Sequence, residues 1–152
     1  MPSIRDYRPG DAADLWSLLE RALAVYGLSA DSCATDHDLK DIQASYLDRG
    51  GRFRVLTDGP RTIGMYGLYK ESNDVVELRK MYLEPAYKGQ GFGRLILDDA
   101  LEIARGAGFK TMTLETNRVL TEAIALYRKY GFVDVERDDL SARCDRAMAM
   151  DL

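Results

Sequence analysis

The sequence predicts an α/β fold with a mixed, mostly antiparallel central sheet and helices on both of its faces. Three observations predict it. Apolar residues recur at helical spacing early in the chain and alternate at strand spacing in its middle. The strand-like runs of the middle are joined by connections too short to hold a crossover helix, which forces antiparallel neighbours. Helix and strand signals then alternate toward the end, so both faces of the sheet acquire cover.

The elements follow in order. Ser3 to Tyr7 reads as a first strand, ended by the turn Arg8-Pro9-Gly10. Asp11 stands where its carboxylate can cap the free first-turn amides of a helix. Leu15, Leu19, Ala22 and Tyr26 share one face of that helix, and Gly27 closes it. A second helix is predicted over residues 36–48, with Leu39, Ile42 and Tyr46 on its apolar side and Gly50-Gly51 as its stop. Residues 52–56, 61–69 and 75–83 are rich in strand formers. Thr57-Asp58-Gly59-Pro60 and Glu71-Ser72-Asn73-Asp74 connect them, both built from turn residues. A glycine-rich loop leads to a helix ending near Ala107, then a strand from Thr111 to Thr116 and a helix from Thr121 to Tyr130 that Gly131 stops. Phe132 to Val135 and Arg146 to Asp151 supply two closing strands. No repeat or linker interrupts the 152 residues, which are read as a single domain.

The third middle strand breaks its own alternation. Val76 and Leu78 share one parity, whereas Met81 and Leu83 share the other. One extra residue near Arg79-Lys80 would return both pairs to the core side, so a β-bulge is predicted there. A bulge also frees backbone amides and carbonyls for a ligand.

Composition narrows the function. Hydrophobic residues make up 46% and charged residues 30%, the profile of a soluble globular protein. A net charge of −4 argues against a nucleic-acid partner, which normally demands a basic face. Cys33 and Cys144 lie far apart, and His37 is the single histidine, so no zinc cluster and no metal is expected. Both cysteines read as small buried or half-buried side chains, and His37, between Asp36 and Asp38, reads as a surface residue. No signal peptide and no apolar run near the ~20 residues of a membrane span is recognised. A cytoplasmic protein with no membrane partner is expected, and the oligomeric state is left open, a homodimer included.

Chemistry concentrates in Lys88-Gly89-Gln90-Gly91-Phe92-Gly93-Arg94, which runs from a strand end into a helix start. Alternate glycines let the backbone turn tightly and let a ligand approach its amides. Unpaired amides at the helix N-terminus favour a phosphate or pyrophosphate. A P-loop would require Gly-Lys-Ser/Thr at its end, whereas Gly93 is followed by Arg94-Leu95. A dinucleotide fingerprint would require G-x-G-x-x-G in a parallel unit, and this loop has other spacing and follows a meander. Glu115, roughly twenty residues on, is the one feature that fingerprint would use.

With these residues in view, the chain resembles the GNAT superfamily of N-acetyltransferases. The family's Arg/Gln-x-x-Gly-x-Gly/Ala corresponds to Lys88 through Gly93, preceded by a strand and Pro85. Its Ala-Ile-x-Leu-Tyr-x-x-x-Gly-Phe corresponds to Ala123 through Phe132. The order of elements agrees along essentially the whole chain. The resemblance implies acetyl-CoA as co-substrate and a GNAT-like fold. Backbone amides of Gln90 to Arg94, including Gly91, Phe92 and Gly93, would hold the pyrophosphate, with Lys88 and Gly89 completing the loop. The backbone of Met81, Tyr82 and Leu83 would pair with the pantetheine arm as an added strand. Tyr127 would protonate the departing thiolate. Lys88 stands where the family has Arg or Gln, and Leu120 where it often has Asn; Asn117 is nearby but out of register.

Amine acetylation needs a neutral amine, so a base or a water chain must take a proton from the ammonium. Glu77, fourteen residues before Gly91 and of opposite parity to Val76 and Leu78, is the candidate base, because related lysine acetyltransferases carry a glutamate there. Its alternative is a structural ion pair with Arg79. A phenol with a pKa near ~10 suits Tyr127 to the acid role, and a strand amide, that of Met81, would hold the oxyanion. Arg79 is the candidate substrate contact, for a carboxylate or phosphate. The expected acceptor is a small-molecule primary amine. A protein lysine or N-terminus is the alternative, through an open groove between the first two helices and the closing strands. A non-catalytic coenzyme A-binding module is the third reading.

Overall fold

The computed structural model describes residues 1–32 and 35–152. The chain runs β1 (Pro2–Asp6), α1 (Ala12–Ala24), α2 (His37–Lys40), β2 (Arg52–Asp58), β3 (Arg61–Lys70), β4 (Val75–Leu83), α3 (Phe92–Gly106), β5 (Thr111–Thr116), α4 (Thr121–Tyr130), β6 (Val133–Val135) and β7 (Arg146–Asp151). The strands form one sheet in the order β1-β2-β3-β4-β5-β7-β6. Every neighbouring pair is antiparallel except β4 and β5. The expected meander is therefore present, and the mixed character rests on a single parallel contact.

Each face of the sheet is closed by its own helices. Leu15, Leu18, Leu19 and Leu23 of α1 pack with Leu39, Ile42 and Tyr46 against Phe53, Val55 and Met65. On the other face Ile96, Leu97, Ala100 and Leu101 of α3, with Ile124 and Tyr127 of α4, cover Leu68, Val76, Leu78 and Leu114. The alternation of β2 and β4 decides which side chain serves which core.

Two local expectations are corrected. Asp11 stands at the N-cap of α1 without making a side-chain cap. Its carboxylate instead takes the Arg5 guanidinium through two 2.8 Å bonds and the Arg8 N–H at 2.8 Å. A charged bidentate donor outcompetes neutral amides. The second helix is broken in two: a single turn, His37–Lys40, and a wide turn, Gln43–Leu47. Asp41 leaves helical geometry and its carboxylate accepts the Ala44 N–H at 3.1 Å, a local bond that aspartate offers in competition with helix continuation. The break lets Leu39, Ile42 and Tyr46 all reach the core, with the Tyr46 hydroxyl bonded to Asp38.

The predicted bulge is present. Gly67 opposes Arg79 while Met65 opposes Tyr82, so β4 spends one more residue than β3 between these pairs. Lys80 carries the irregularity with φ 54°, the one described non-glycine residue with positive φ. Val76, Leu78, Met81 and Leu83 consequently all face the α3 and α4 side, and Tyr82 turns to the α1 side. The parallel pairing of β4 with β5 stops at Leu78↔Leu114. Beyond it the two strands diverge, which opens a cleft beside the bulge. His37 is exposed, as expected, and Cys144 is half-buried. The expectation for Cys33 falls outside the described residues. No helix among the described residues is long and apolar enough to cross a membrane.

Candidate active site

The cleft between the diverging ends of β4 and β5 is a cavity of about 310 Å³. Met81, Tyr82 and Leu83 form one wall, past the point where β4 has a strand neighbour on that side. The end of α1 forms another. There Gly27 takes a left-handed φ of 71°, Gly27 N–H bonds the Ala24 carbonyl and Leu28 N–H bonds the Leu23 carbonyl, each at 3.1 Å. This six-to-one closure at the helix end turns Tyr26 and Leu28 into the cavity wall.

The glycine loop closes one end. Gly89 and Gly91 have φ of 77° and 88°, a conformation that an L side chain would strain. Gly91 is the N-cap of α3, so the first amides of that helix face the cleft without a preceding turn to take them. A Cβ on Gly93 would approach Leu126 to 3.3 Å, so glycine also lets α3 and α4 come close here. Lys88, Gly89, Gly91, Gly93 and Arg94 line the cavity, while Gln90 and Phe92 do not. The Gln90 amide reaches back to the Ala86 carbonyl at 3.3 Å. Phe92 packs on Tyr87 at 5.9 Å between ring centroids. Lys88 is not free at the rim: its ammonium bonds the Tyr26 hydroxyl and lies 4.2 Å from that ring's centre.

Tyr127 stands at the other end. It is 6% exposed, and its hydroxyl points at the Met81 sulfur, 3.8 Å away. Burial pushes its phenol well above the ordinary tyrosine range, so it carries its proton at neutral pH. Burial likewise pushes Tyr82 up to about 12 and raises the Cys144 thiol. Both residues line the same chamber.

Glu77 and Arg79 do not line the cavity. The Glu77 carboxylate, 3% exposed, is held by Arg79 at 2.5 Å and Arg137 at 3.3 Å. The Arg79 guanidinium also lies 3.6 Å from the centre of the Tyr69 ring. Glu115 on β5 does line the cavity. One of its oxygens accepts the Ser141 N–H at 2.9 Å and the other lies 3.5 Å from Arg137. The sequence singles it out only by its spacing from the glycine loop, which cannot show that β4 and β5 part just before it. Asn117 lines the cavity, but its polar atoms are engaged: Nδ2 donates to the Arg143 carbonyl at 2.8 Å, and Oδ1 accepts the Val119 N–H at 3.0 Å. Leu120 lines it as well, as an apolar contact. Among the described residues no three His, Cys, Asp or Glu side chains converge to hold a metal ion.

One cleft thus joins an amide-rich loop suited to a pyrophosphate, an unpaired strand edge suited to an extended arm, and, in its lining, a protonated phenol and a carboxylate. Known proteins carry the same arrangement of sequence and fold. The family model for the acetyltransferase (GNAT) family matches residues 15–132. The chain is 34% identical over 140 residues to YjgM, an uncharacterized N-acetyltransferase of Escherichia coli K12, covering 89% of this chain and 84% of that one. A GNAT-family acetyltransferase of Staphylococcus aureus Mu50 superposes with a TM-score of 0.91 at 21% identity, covering 99% of both chains. The PaiA N-acetyltransferase of Thermoplasma acidophilum, solved in complex with coenzyme A, superposes with a TM-score of 0.82 at 18% identity, covering 100% of this chain and 99% of that one. At such identities these two structures speak for the fold alone. The match over most of the chain, together with the cleft, shows that this protein belongs to the GNAT family of acetyltransferases.

Proposed function

We propose that this protein transfers the acetyl group of acetyl-CoA to the primary amine of a small molecule. The observation that carries the small-molecule reading is an ion pair. A protein acceptor would need an open groove between the first two helices and the closing strands. Arg143 of the β6–β7 connection instead reaches across to Asp36, just before α2, with two bonds of 2.6 and 2.7 Å.

Bound acetyl-CoA supplies an acyl thioester. The amides from Gly91 to Arg94 hold its pyrophosphate, with the helix dipole behind them. The free edge of β4 from Met81 to Leu83 takes the arm, and an amide there, that of Met81, stabilises the oxyanion. Tyr127 gives its proton to the departing thiolate. The chamber that raises the phenol disfavours a buried thiolate in the same way, so the two remain matched. Glu115 is the better base on this geometry, because it faces the cleft while Glu77 is enclosed by two arginines outside it. Its carboxylate takes the proton of the arriving ammonium, directly or through one water. The 152 residues act as one domain, in a reducing compartment such as the cytoplasm, where the free Cys144 stays a thiol.

Thiol release from acetyl-CoA with a panel of small amines and short peptides tests this reading. Turnover with small amines and none with peptides is expected. Turnover with peptides alone would establish the protein-directed alternative, and tight coenzyme A binding with no turnover at all would leave a binding module.

A further inference from the structure

Ser29 and Asp36, between α1 and α2, meet Arg143, between β6 and β7, at the wall of the cleft. Arg143 spans the two connections. Besides its two bonds to Asp36, its Nη1 reaches the Ser29 carbonyl at 3.3 Å. Asp36 has no exposed surface, and the Arg143 side chain is 12% exposed. Lys80, turned out of register by the bulge, brings its ammonium to Asp36 at 3.3 Å, to Asp38 at 3.0 Å and to the Thr35 carbonyl at 3.2 Å. Two carboxylates thus meet two cations, and the cluster has no charge left over to bind a substrate ion. Such a buried cluster adds little net stability compared with apolar packing, although losing one member is costly. Its value lies in geometry.

That geometry bears on the cleft. Lys80, Arg143 and its neighbour Cys144 are part of the cavity wall. The backbone at Arg143 is itself anchored, because its carbonyl accepts the Asn117 amide at 2.8 Å. The guanidinium is therefore held at its root by the β5–α4 turn and at its tip by Asp36. The Arg143 side chain thus ties the two connections to each other. We propose that the Asp36–Arg143 pair is a positioning clasp that sets the acceptor's passage into the cleft and selects a small primary amine over a peptide. The proposal rests on the acetyltransferase reading above. Neither residue touches the reacting atoms. The clasp acts by holding two walls at a fixed separation, and by that route it also shields Cys144.

Asp36→Asn keeps the shape and removes the charge; Arg143→Lys keeps the charge and removes the bidentate fork. Purified variants would be compared with the unaltered protein by thermal melting and by KM for acetyl-CoA. KM would also be measured for cadaverine, tyramine and a lysine-containing hexapeptide. Modification of Cys144 by a thiol reagent would be followed by peptide mapping. With Asp36→Asn, KM for the small amines is expected to rise at least about tenfold, because Arg143 loses the charge that fixes its tip. KM for acetyl-CoA stays within about twofold, the hexapeptide becomes an acceptor, and Cys144 reacts faster. Arg143→Lys falls between, and it carries the test if Asp36→Asn does not fold. A folded variant with unchanged amine KM, or with unchanged Cys144 reactivity, overturns the clasp. If the unaltered protein releases no thiol with any acceptor, the acetyltransferase reading falls, and the Cys144 rate alone then decides whether the clasp closes this passage.

Discussion

The Tyr127 hydroxyl lies 3.8 Å from the sulfur of Met81, the residue that follows the bulged Lys80 in β4. This contact joins the α4 motif to the strand edge that we propose receives the coenzyme arm. It puts a protonated phenol against a weak acceptor, which a more basic sulfur would displace.

Tyr127→Phe should therefore separate chemistry from binding. Loss of a positioned acid costs about a hundredfold in kcat. Acetyl-CoA affinity should change by less than about twofold, because the phenol replaces no coenzyme contact. The thermal midpoint should hold too, since the hydroxyl gives up only a weak bond to sulfur. Steady-state kinetics beside calorimetric titration of coenzyme A measures both. An unaltered kcat would remove Tyr127 from the reaction.

The two glutamates make opposite predictions. Glu115→Gln should abolish the acidic limb of the kcat/KM profile and leave stability nearly intact. Glu77→Gln should keep the shape of the profile and cost about 3 kcal/mol of stability, because Arg79 and Arg137 are left partly buried without their carboxylate. Urea denaturation and pH–rate profiles of both variants decide the assignment. A lost acidic limb in Glu77→Gln with an intact one in Glu115→Gln would return the base role to Glu77.

At the glycine loop, Gly91→Ala should weaken acetyl-CoA binding at least about tenfold and cost about 1 kcal/mol of stability, because φ 88° is strained for any side chain. Gly106→Ala, in the last turn of α3 with open space around its Cα, should instead add about 0.5–1 kcal/mol and leave binding alone. Titration calorimetry on the pair separates loop geometry from helix propensity.

Asp11 sets a pH dependence. The bonds from Arg5, chiefly, hold its carboxyl below the usual carboxylate range. A lowered folded pKa means the unfolded chain binds the proton more readily. The stabilisation is complete above the unfolded value of about 3.9 and disappears as the pH falls through the lower folded value. Asp11→Asn should thus cost about 1–2 kcal/mol near pH 7, and the difference from the unaltered protein should shrink steadily below about pH 4. A difference that persists at low pH would assign the cost to shape and not to charge.

The bulge was legible because parity is a local property: Val76 and Leu78 against Met81 and Leu83 cannot share a face without an extra residue, and the structure puts it at Lys80. The glycine loop was legible for the same reason, since positive φ is a demand on single residues. The second helix was misread, because Asp41 chose its own side-chain bond over helix continuation and Tyr46 took a partner in Asp38. Neither choice leaves a periodic trace.

The sequence by itself determined the element order, the meander, the bulge and the loop that opens α3, all of which follow from residue spacing and turn chemistry within a few positions. Only the tertiary structure decided which carboxylate faces the cleft. Glu77 and Glu115 lie on adjacent strands of the same sheet. The divergence of β4 and β5 after Leu78 and Leu114 puts Glu115 in the cleft wall and leaves Glu77 out of it. Arg137 of the β6–β7 connection lies against both, while Arg79 holds Glu77 alone and the Ser141 N–H reaches Glu115 alone. Arg137 comes from sixty residues beyond Glu77, and no local pattern encodes where a distant guanidinium will settle.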